Sequence, residues 1–208
     1  MQSTVALLLG GAVTVASVWW ALARRGRSLR DGGARTFTLH RAEHGDRAAL
    51  AQLVIHNHLE LSAACPQEWL AQLRDMPTDF AHLLDAAEFS RGRYRVARDS
   101  RTGRIVGAAG ITPPTTQTRS LQGGSNWMLT AVTVAENWRR LGIAQHLVRL
   151  VLQDAKEAGA ECVAATTLLE LMEGAWRLYE RLGFRRVSAE IVAQEPRPMT
   201  VLSFELRL

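Results

Sequence analysis

Apolar residues follow three different patterns along this chain. The first is unbroken: Thr4 through Ala23 is a run of twenty residues without a charge. At 1.5 Å of rise per residue, a helix of that length crosses the ~30 Å hydrocarbon core of a bilayer. Trp19 and Trp20 lie near its end, and Arg24, Arg25, Arg27 and Arg30 follow at once. Interfacial tryptophans and a positive flank predict a single membrane span, with the C-terminal remainder on the cytoplasmic side. A cleaved signal or transit peptide competes, because Ala21–Leu22–Ala23 is a small-residue site. Against it, Met1–Gln2–Ser3 lacks the basic start, and the run exceeds the usual ~7–15 apolar residues. A core helix is disfavoured at a terminus that leads into a basic cluster. Residues 1–25 therefore read as a membrane anchor. Residues 26–34, with Gly26, Gly32 and Gly33 among polar neighbours, read as a linker.

The other two patterns alternate after the linker. Thr36–His40 has the period of a strand. Asp46 is placed to cap a helix whose apolar residues include Leu50, Leu53 and Val54. Pro66 and Pro77 bracket a short helical piece with Trp69 and Leu73, and Asp79–Phe89 reads as another helix. Arg93–Arg98 and Arg104–Ile111 flank the turn residues Asp99–Gly103, which predicts a hairpin. Thr112–Ser125, with two prolines and two glycines, is a loop of the kind that carries substrate contacts. Leu129–Val134 is a buried-strand run. Ile143, Leu147, Leu150, Val151 and Ala155 mark a helix that Gly159 closes. Glu161–Thr166 returns as a strand. Ala175, Leu178 and Leu182 line a helix ended by Gly183, and Phe184–Val192 and Met199–Leu206 close the chain as strands. Strands interleaved with helices and framed by hairpins predict a mixed α/β sheet in one domain over residues 35–208.

Charge and cysteines narrow the chemistry. Four of the five excess positive charges are the arginines beside the apolar run, so the rest of the chain is nearly neutral. No aromatic–basic stripe stands out, and nucleic acid is not an expected partner. Cys65 and Cys162 make no disulfide framework, and Cys162 reads as a buried small residue. His56 and His58 are two apart, so on a helix they point to different faces and share no metal. No metal is expected.

One stretch carries specific chemistry. Arg139–Arg140–Leu141–Gly142–Ile143–Ala144 joins the strand Leu129–Val134 to the next helix. A helix start offers unpaired N–H groups and the positive end of the macrodipole, and it binds phosphate readily. Gly142 lets a ligand approach the backbone, and the two arginines add charge. The stretch reads equally as a pyrophosphate cradle or as an ordinary turn with two solvated arginines. Residues 175–184 add a second motif, an amphipathic helix with Tyr179 on it and a glycine at its end.

Taken together and in this order, the two motifs resemble those of the GNAT superfamily of acyl-CoA N-acyltransferases. Arg139, Gly142 and Ala144 match its pyrophosphate signature. Ala175, Leu178–Tyr179 and Gly183–Phe184 match its later helix. The resemblance covers roughly residues 36–208. Within the superfamily, Asp79–Ser100 and Ile143–Leu152 are similar to the camello-like branch of membrane-bound N-acetyltransferases of the endoplasmic reticulum, which includes enzymes acting on cysteine S-conjugates and on protein lysines. That branch has its apolar segment after the first helix, whereas here it comes first, and Met172 stands where an asparagine is common.

The resemblance implies a mixed, mostly antiparallel GNAT-like sheet flanked by helices, to which the apolar run at 4–23 adds an N-terminal transmembrane helix. It implies a single-pass endoplasmic-reticulum protein with a cytosolic domain that moves an acetyl group from acetyl-CoA to an amine acceptor. The strand ending at Val134 would splay from Glu161–Thr167. Acetyl-CoA would lie in that gap on main-chain groups of Val132, Thr133 and Val134, with its diphosphate on Arg139, Arg140, Leu141, Gly142, Ile143, Ala144 and Gln145. Tyr179 would protonate the departing thiolate. The strand glutamate that often serves as base in this superfamily is missing from Leu129–Val134. Glu170 and Glu173 are the carboxylates on the acceptor side. That missing carboxylate also sustains a second reading, a non-catalytic acyl-CoA-binding protein.

Overall fold

A computed structural model describes residues 35–64, 83, 85–114, 126–193 and 198–208. The apolar run at 4–23, the linker, the Pro66–Pro77 piece, Cys65 and most of the Thr112–Ser125 loop lie outside these residues. Among the described residues no helix is long and apolar enough to cross a membrane.

The strands are β1 (Phe37–Arg41), β2 (Arg93–Asp99), β3 (Ile105–Thr112), β4 (Trp127–Val134), β5 (Cys162–Leu168), β6 (Arg185–Ala193) and β7 (Met199–Arg207). The helices are α1 (Arg47–Ala64), α2 (Ala86–Arg91), α3 (Ile143–Glu157) and α4 (Glu173–Arg181). The strands form one sheet in the order β1-β2-β3-β4-β5-β7-β6. Every pairing is antiparallel except β4 with β5. This is the expected mixed, mostly antiparallel sheet.

The hairpin of β2 and β3 forms where turn chemistry put it. The Asp99 carboxylate accepts from the Thr102 hydroxyl and the Arg101 N–H, and Gly103 takes a left-handed φ of +70°. β3 is narrow by composition. A Cβ on Gly107 would stand 2.8 Å from Ile143, and one on Gly110 would stand 2.3 Å from the Tyr94 ring. These two glycines let α3 close onto one face of β3 and Tyr94 onto the other. Arg95 of β2 then grips Asp154 of α3 through two bonds of 2.7 and 2.5 Å. Those bonds raise the Arg95 pKa, against an opposing effect of burial.

β4 is the strand that matters for the site. Only Trp127 and Met128 pair with β5, opposite Val163 and Ala164. Beyond Met128 the two parallel strands part, as the resemblance implied. A bulge contributes: Ala131 and Val132 together oppose Ala109, and Ala131 sits at a φ of +51°. The extra residue bends the strand and disrupts its ladder.

Two local expectations are corrected. Glu43, not Asp46, heads the entry to α1; its N–H donates to Asp46 Oδ2 at 3.0 Å across a one-turn 3-10 segment, His44–Asp46. Asp46 is drawn inward by an ion pair with Arg98 at 2.5 Å, which a local reading does not show. Cys162 is partly exposed rather than buried, because it starts β5.

Candidate active site

A 3-10 turn, Glu136–Trp138, follows β4 and leads to Arg139 in an extended conformation. Arg140 then takes a φ of +68° and Gly142 one of +77° before α3 begins at Ile143. Two left-handed residues fold the chain back onto the helix start. The first helical bond runs from His146 N–H to Gly142 O at 3.1 Å. The N–H groups of Ile143, Ala144 and Gln145 therefore have no intrahelical acceptor. They stand at the positive end of a fifteen-residue helix.

These groups border a cleft of about 360 Å³. One wall is Val132 and Val134 of the open β4 edge. The floor is Arg139, Arg140, Gly142, Ile143, Ala144 and Gln145. Of the expected cofactor-binding residues, Thr133 and Leu141 do not line it. Leu141 is exposed, and Thr133 is buried, with the Asn57 side chain of α1 donating to its hydroxyl. The opposite wall is α4, which contributes Gly174, Ala175, Arg177, Leu178 and Arg181. Trp138 completes the lining. Four arginines thus line one cleft beside a helix N-terminus, two of them ion-paired, Arg139 with Glu60 and Arg177 with Glu173, and the net positive lining suits an oligophosphate.

Arg177 and Arg181 were not foreseen as site residues. They are four apart on α4, which puts them on one helix face, but nothing local shows that this face looks across at α3. Glu60 was not foreseen either. Its Oε2 accepts from Arg139 Nη2 at 3.0 Å, across 79 positions of sequence. Burial lowers the Arg139 pKa, and the Glu60 bond works in the opposite direction.

Tyr179 is placed differently from the expected acid. It is completely buried, with ring centroids 5.5 Å from Phe184 and 5.7 Å from Phe204, and it does not line the cleft. It stands one residue after Leu178 and one helical turn after Ala175, both of which do line it. Burial raises its phenol well above the ordinary value, so the group is protonated at physiological pH. The two candidate carboxylates are engaged elsewhere. Glu170 Oε2 accepts from the Thr200 N–H at 2.9 Å, and Glu173 pairs with Arg177 one turn along α4. On β4, the polar side chains are Thr130 and Thr133, both buried. Among the described residues no group of three or more His, Cys, Asp or Glu could hold a metal.

A sequence profile described as the acetyltransferase (GNAT) family matches residues 55–184, more than half of the chain. The chain belongs to the GNAT family. The match takes in β4, the cradle, the splayed pair and all of α4. A Xenopus tropicalis protein named "Probable N-acetyltransferase camello" is 31% identical over 90 residues, 43% of this chain and 38% of that protein. The aligned stretch thus spans well under half of that relative's length. Among solved structures, yncA of Salmonella typhimurium, determined with its cofactor acetyl-CoA, superposes with a TM-score of 0.62 at 17% identity. It covers 83% of this chain and 94% of its own. A Drosophila melanogaster polyamine N-acetyltransferase superposes with a TM-score of 0.60 at 17% identity, over 83% of this chain and 100% of its own. At these identities the superpositions establish the GNAT fold.

Arg140 gives the site a separable test. A non-glycine residue in the left-handed region costs roughly 1–2 kcal/mol. Arg140→Gly is expected to raise thermal stability slightly while weakening acetyl-CoA binding about tenfold through the lost charge. Melting temperature and titration calorimetry read the two effects. A variant less stable than wild type, or one of unchanged affinity, contradicts this account.

Proposed function

We propose that this chain is a membrane-anchored N-acetyltransferase that moves an acetyl group from acetyl-CoA to a primary amine by direct attack. The observation that carries the reading is the cleft itself: an unpaired β4 edge on one side, and on the other a helix N-terminus amid four arginines. The diphosphate lies on the N–H groups of Ile143, Ala144 and Gln145. The pantetheine arm runs along Val132–Val134, where main-chain groups have lost their β5 partners. An N–H on that edge polarises the thioester carbonyl and holds the developing oxyanion.

The neutral amine attacks the carbonyl carbon, the nitrogen of the tetrahedral intermediate gives its extra proton to water, since no carboxylate lines the cleft among the described residues, and the C–S bond breaks to release coenzyme A as its thiolate. That thiolate needs a proton. In this reading the donor is Tyr179, which stands on α4 one residue after the cleft-lining Leu178. Residues 4–23 anchor the enzyme in a membrane, by their length and positive flank, with the domain at 35–208 on the cytosolic side. The names of an N-acetyltransferase and a polyamine N-acetyltransferase support an amine as acceptor, and a small-molecule amine, an amino-acid conjugate or a protein amino group fits that chemistry.

The engagement of Glu170 and Glu173 and the lack of a β4 carboxylate favour one alternative, a module that binds acyl-CoA without turnover. The full-length chain in detergent, given acetyl-CoA and a panel of amines, separates the two. Release of free thiol that depends on the amine is the expected result. Micromolar acetyl-CoA binding without transfer to any amine would sink the enzymatic reading.

A further inference from the structure

Arg139 is the first residue of the phosphate-binding signature and lines the cleft, yet its guanidinium is already held by a carboxylate. Arg139 Nη2 lies 3.0 Å from Glu60 Oε2, and Glu60 Oε1 lies 3.2 Å from His56 Nε2. The Arg139 and Glu60 side chains are only 14% and 26% exposed. Separating such a pair leaves two shielded charges poorly compensated, which is strongly unfavourable. A diphosphate arriving at the cleft meets three main-chain N–H groups, Arg140 and the α4 arginines without needing to break it.

We propose that Arg139 is a positioning residue, that Glu60 is its functional partner, and that their pair holds the cradle in its phosphate-binding shape. This inference rests on the reading that the cleft binds acetyl-CoA. A second tether supports it. The Arg35 guanidinium, just before β1, donates to the carbonyl of Asn137. The loop is therefore held from outside at two points, Asn137 by Arg35 and Arg139 by Glu60. Between those anchors and α3 lie the two left-handed residues Arg140 and Gly142. Strained backbone persists only where its surroundings over-determine it. Here the two tethers are the surroundings, and both come from elements far away in sequence. Because Glu60 belongs to α1, the same ion pair fastens that helix to the cofactor cradle.

The consequence differs from that of a phosphate ligand in sign as well as size. If Arg139 bound the diphosphate, Glu60 would compete for it, and neutralising Glu60 would tighten acetyl-CoA. If the pair positions the loop, losing either partner loosens acetyl-CoA equally, and losing both does little more.

The test is a double-mutant cycle on the full-length chain with Glu60→Gln, Arg139→Gln and the double variant. Acetyl-CoA affinity is measured by calorimetry at several NaCl concentrations. The expected result is about tenfold weaker binding for each single variant and no further loss in the double, the signature of strong coupling. The slope of log affinity against log salt should stay that of wild type in every variant. Tighter or unchanged binding in Glu60→Gln overturns the proposal. So does an Arg139→Gln variant that flattens the salt slope, because that marks a lost phosphate contact. Glu60→Gln is nearly isosteric and decides the matter even if the Arg139 variants fail to fold. Absence of acetyl-CoA binding by the wild-type chain would instead remove the acetyltransferase reading itself.

Discussion

Replacing Gly142 by valine is expected to weaken acetyl-CoA binding about a hundredfold or more, through loss of at least two charge-assisted main-chain bonds worth roughly 1.5–3 kcal/mol each. Space is not the obstacle. A Cβ on Gly142 would meet only the His146 ring, at 3.5 Å, an ordinary contact. The obstacle is the φ of +77°, which costs a β-branched residue more than the roughly 1–2 kcal/mol typical of an L-residue there. Relaxing that torsion rotates the peptide planes that lead into Ile143, Ala144 and Gln145, so their N–H groups no longer converge. Gly159 is the internal control. It has a φ of +81° just past the other end of α3, and nothing lies within 4 Å of its Cβ position. Gly159→Val carries the same backbone penalty and should destabilise the fold without changing acetyl-CoA affinity. Calorimetric titration of both variants checks the pair. Equal affinity losses would show that the Gly142 effect is general destabilisation and not loss of the cradle.

Truncating Tyr179 to alanine is expected to cost about 3–5 kcal/mol of stability, the range for removing a fully buried aromatic ring. The ring fills the space between Phe184 and Phe204 beneath α4. Tyr179→Phe keeps that packing and tests the chemistry. If the hydroxyl donates to the thiolate, this variant loses kcat by about a hundredfold at constant acetyl-CoA affinity. Unchanged turnover would reduce Tyr179 to a packing residue. The phenol also makes a pH prediction. Its pKa is raised in the folded chain relative to the ordinary value of 10.0. The folded state therefore keeps a proton that the unfolded state gives up above that pH. Stability should be insensitive to this group below pH 10.0 and should fall above it. Denaturant unfolding on both sides of that pH checks this, and the Tyr179→Phe variant should lack the fall.

The most legible elements had strong local signals. Asp99–Gly103 carries its own turn chemistry, and the hairpin formed there. The spacing of Ile143, Leu147, Leu150, Val151 and Ala155 located α3, and all of these but the half-buried Leu150 are buried. The opposite placement of His56 and His58, one exposed and one buried, followed from helix geometry. Gly142 proved left-handed at the start of α3, where a glycine is the residue that takes this φ without a Cβ penalty. Asp46 was misread because its carboxylate answers to Arg98 as well as to the nearby backbone. Cys162 was misread because an apolar run does not say where along a strand burial begins.

By itself, then, the sequence determined the order and type of most of the described elements, the position of the glycine that opens α3 and membership of a family. Periodicity, turn residues and motif spacing are properties of neighbours along the chain, and they survive whatever the rest of the molecule does. Only the tertiary structure decided where side chains from distant elements meet. It turned Arg139 toward Glu60, brought Arg177 and Arg181 across to face α3, sealed Tyr179 between two phenylalanines and moved Thr133 off the cleft onto Asn57. Each outcome follows from how helices seat on the sheet and from the cost of leaving a shielded charge or polar group without a partner. Those energies depend on contacts between residues tens of positions apart, which no local pattern encodes.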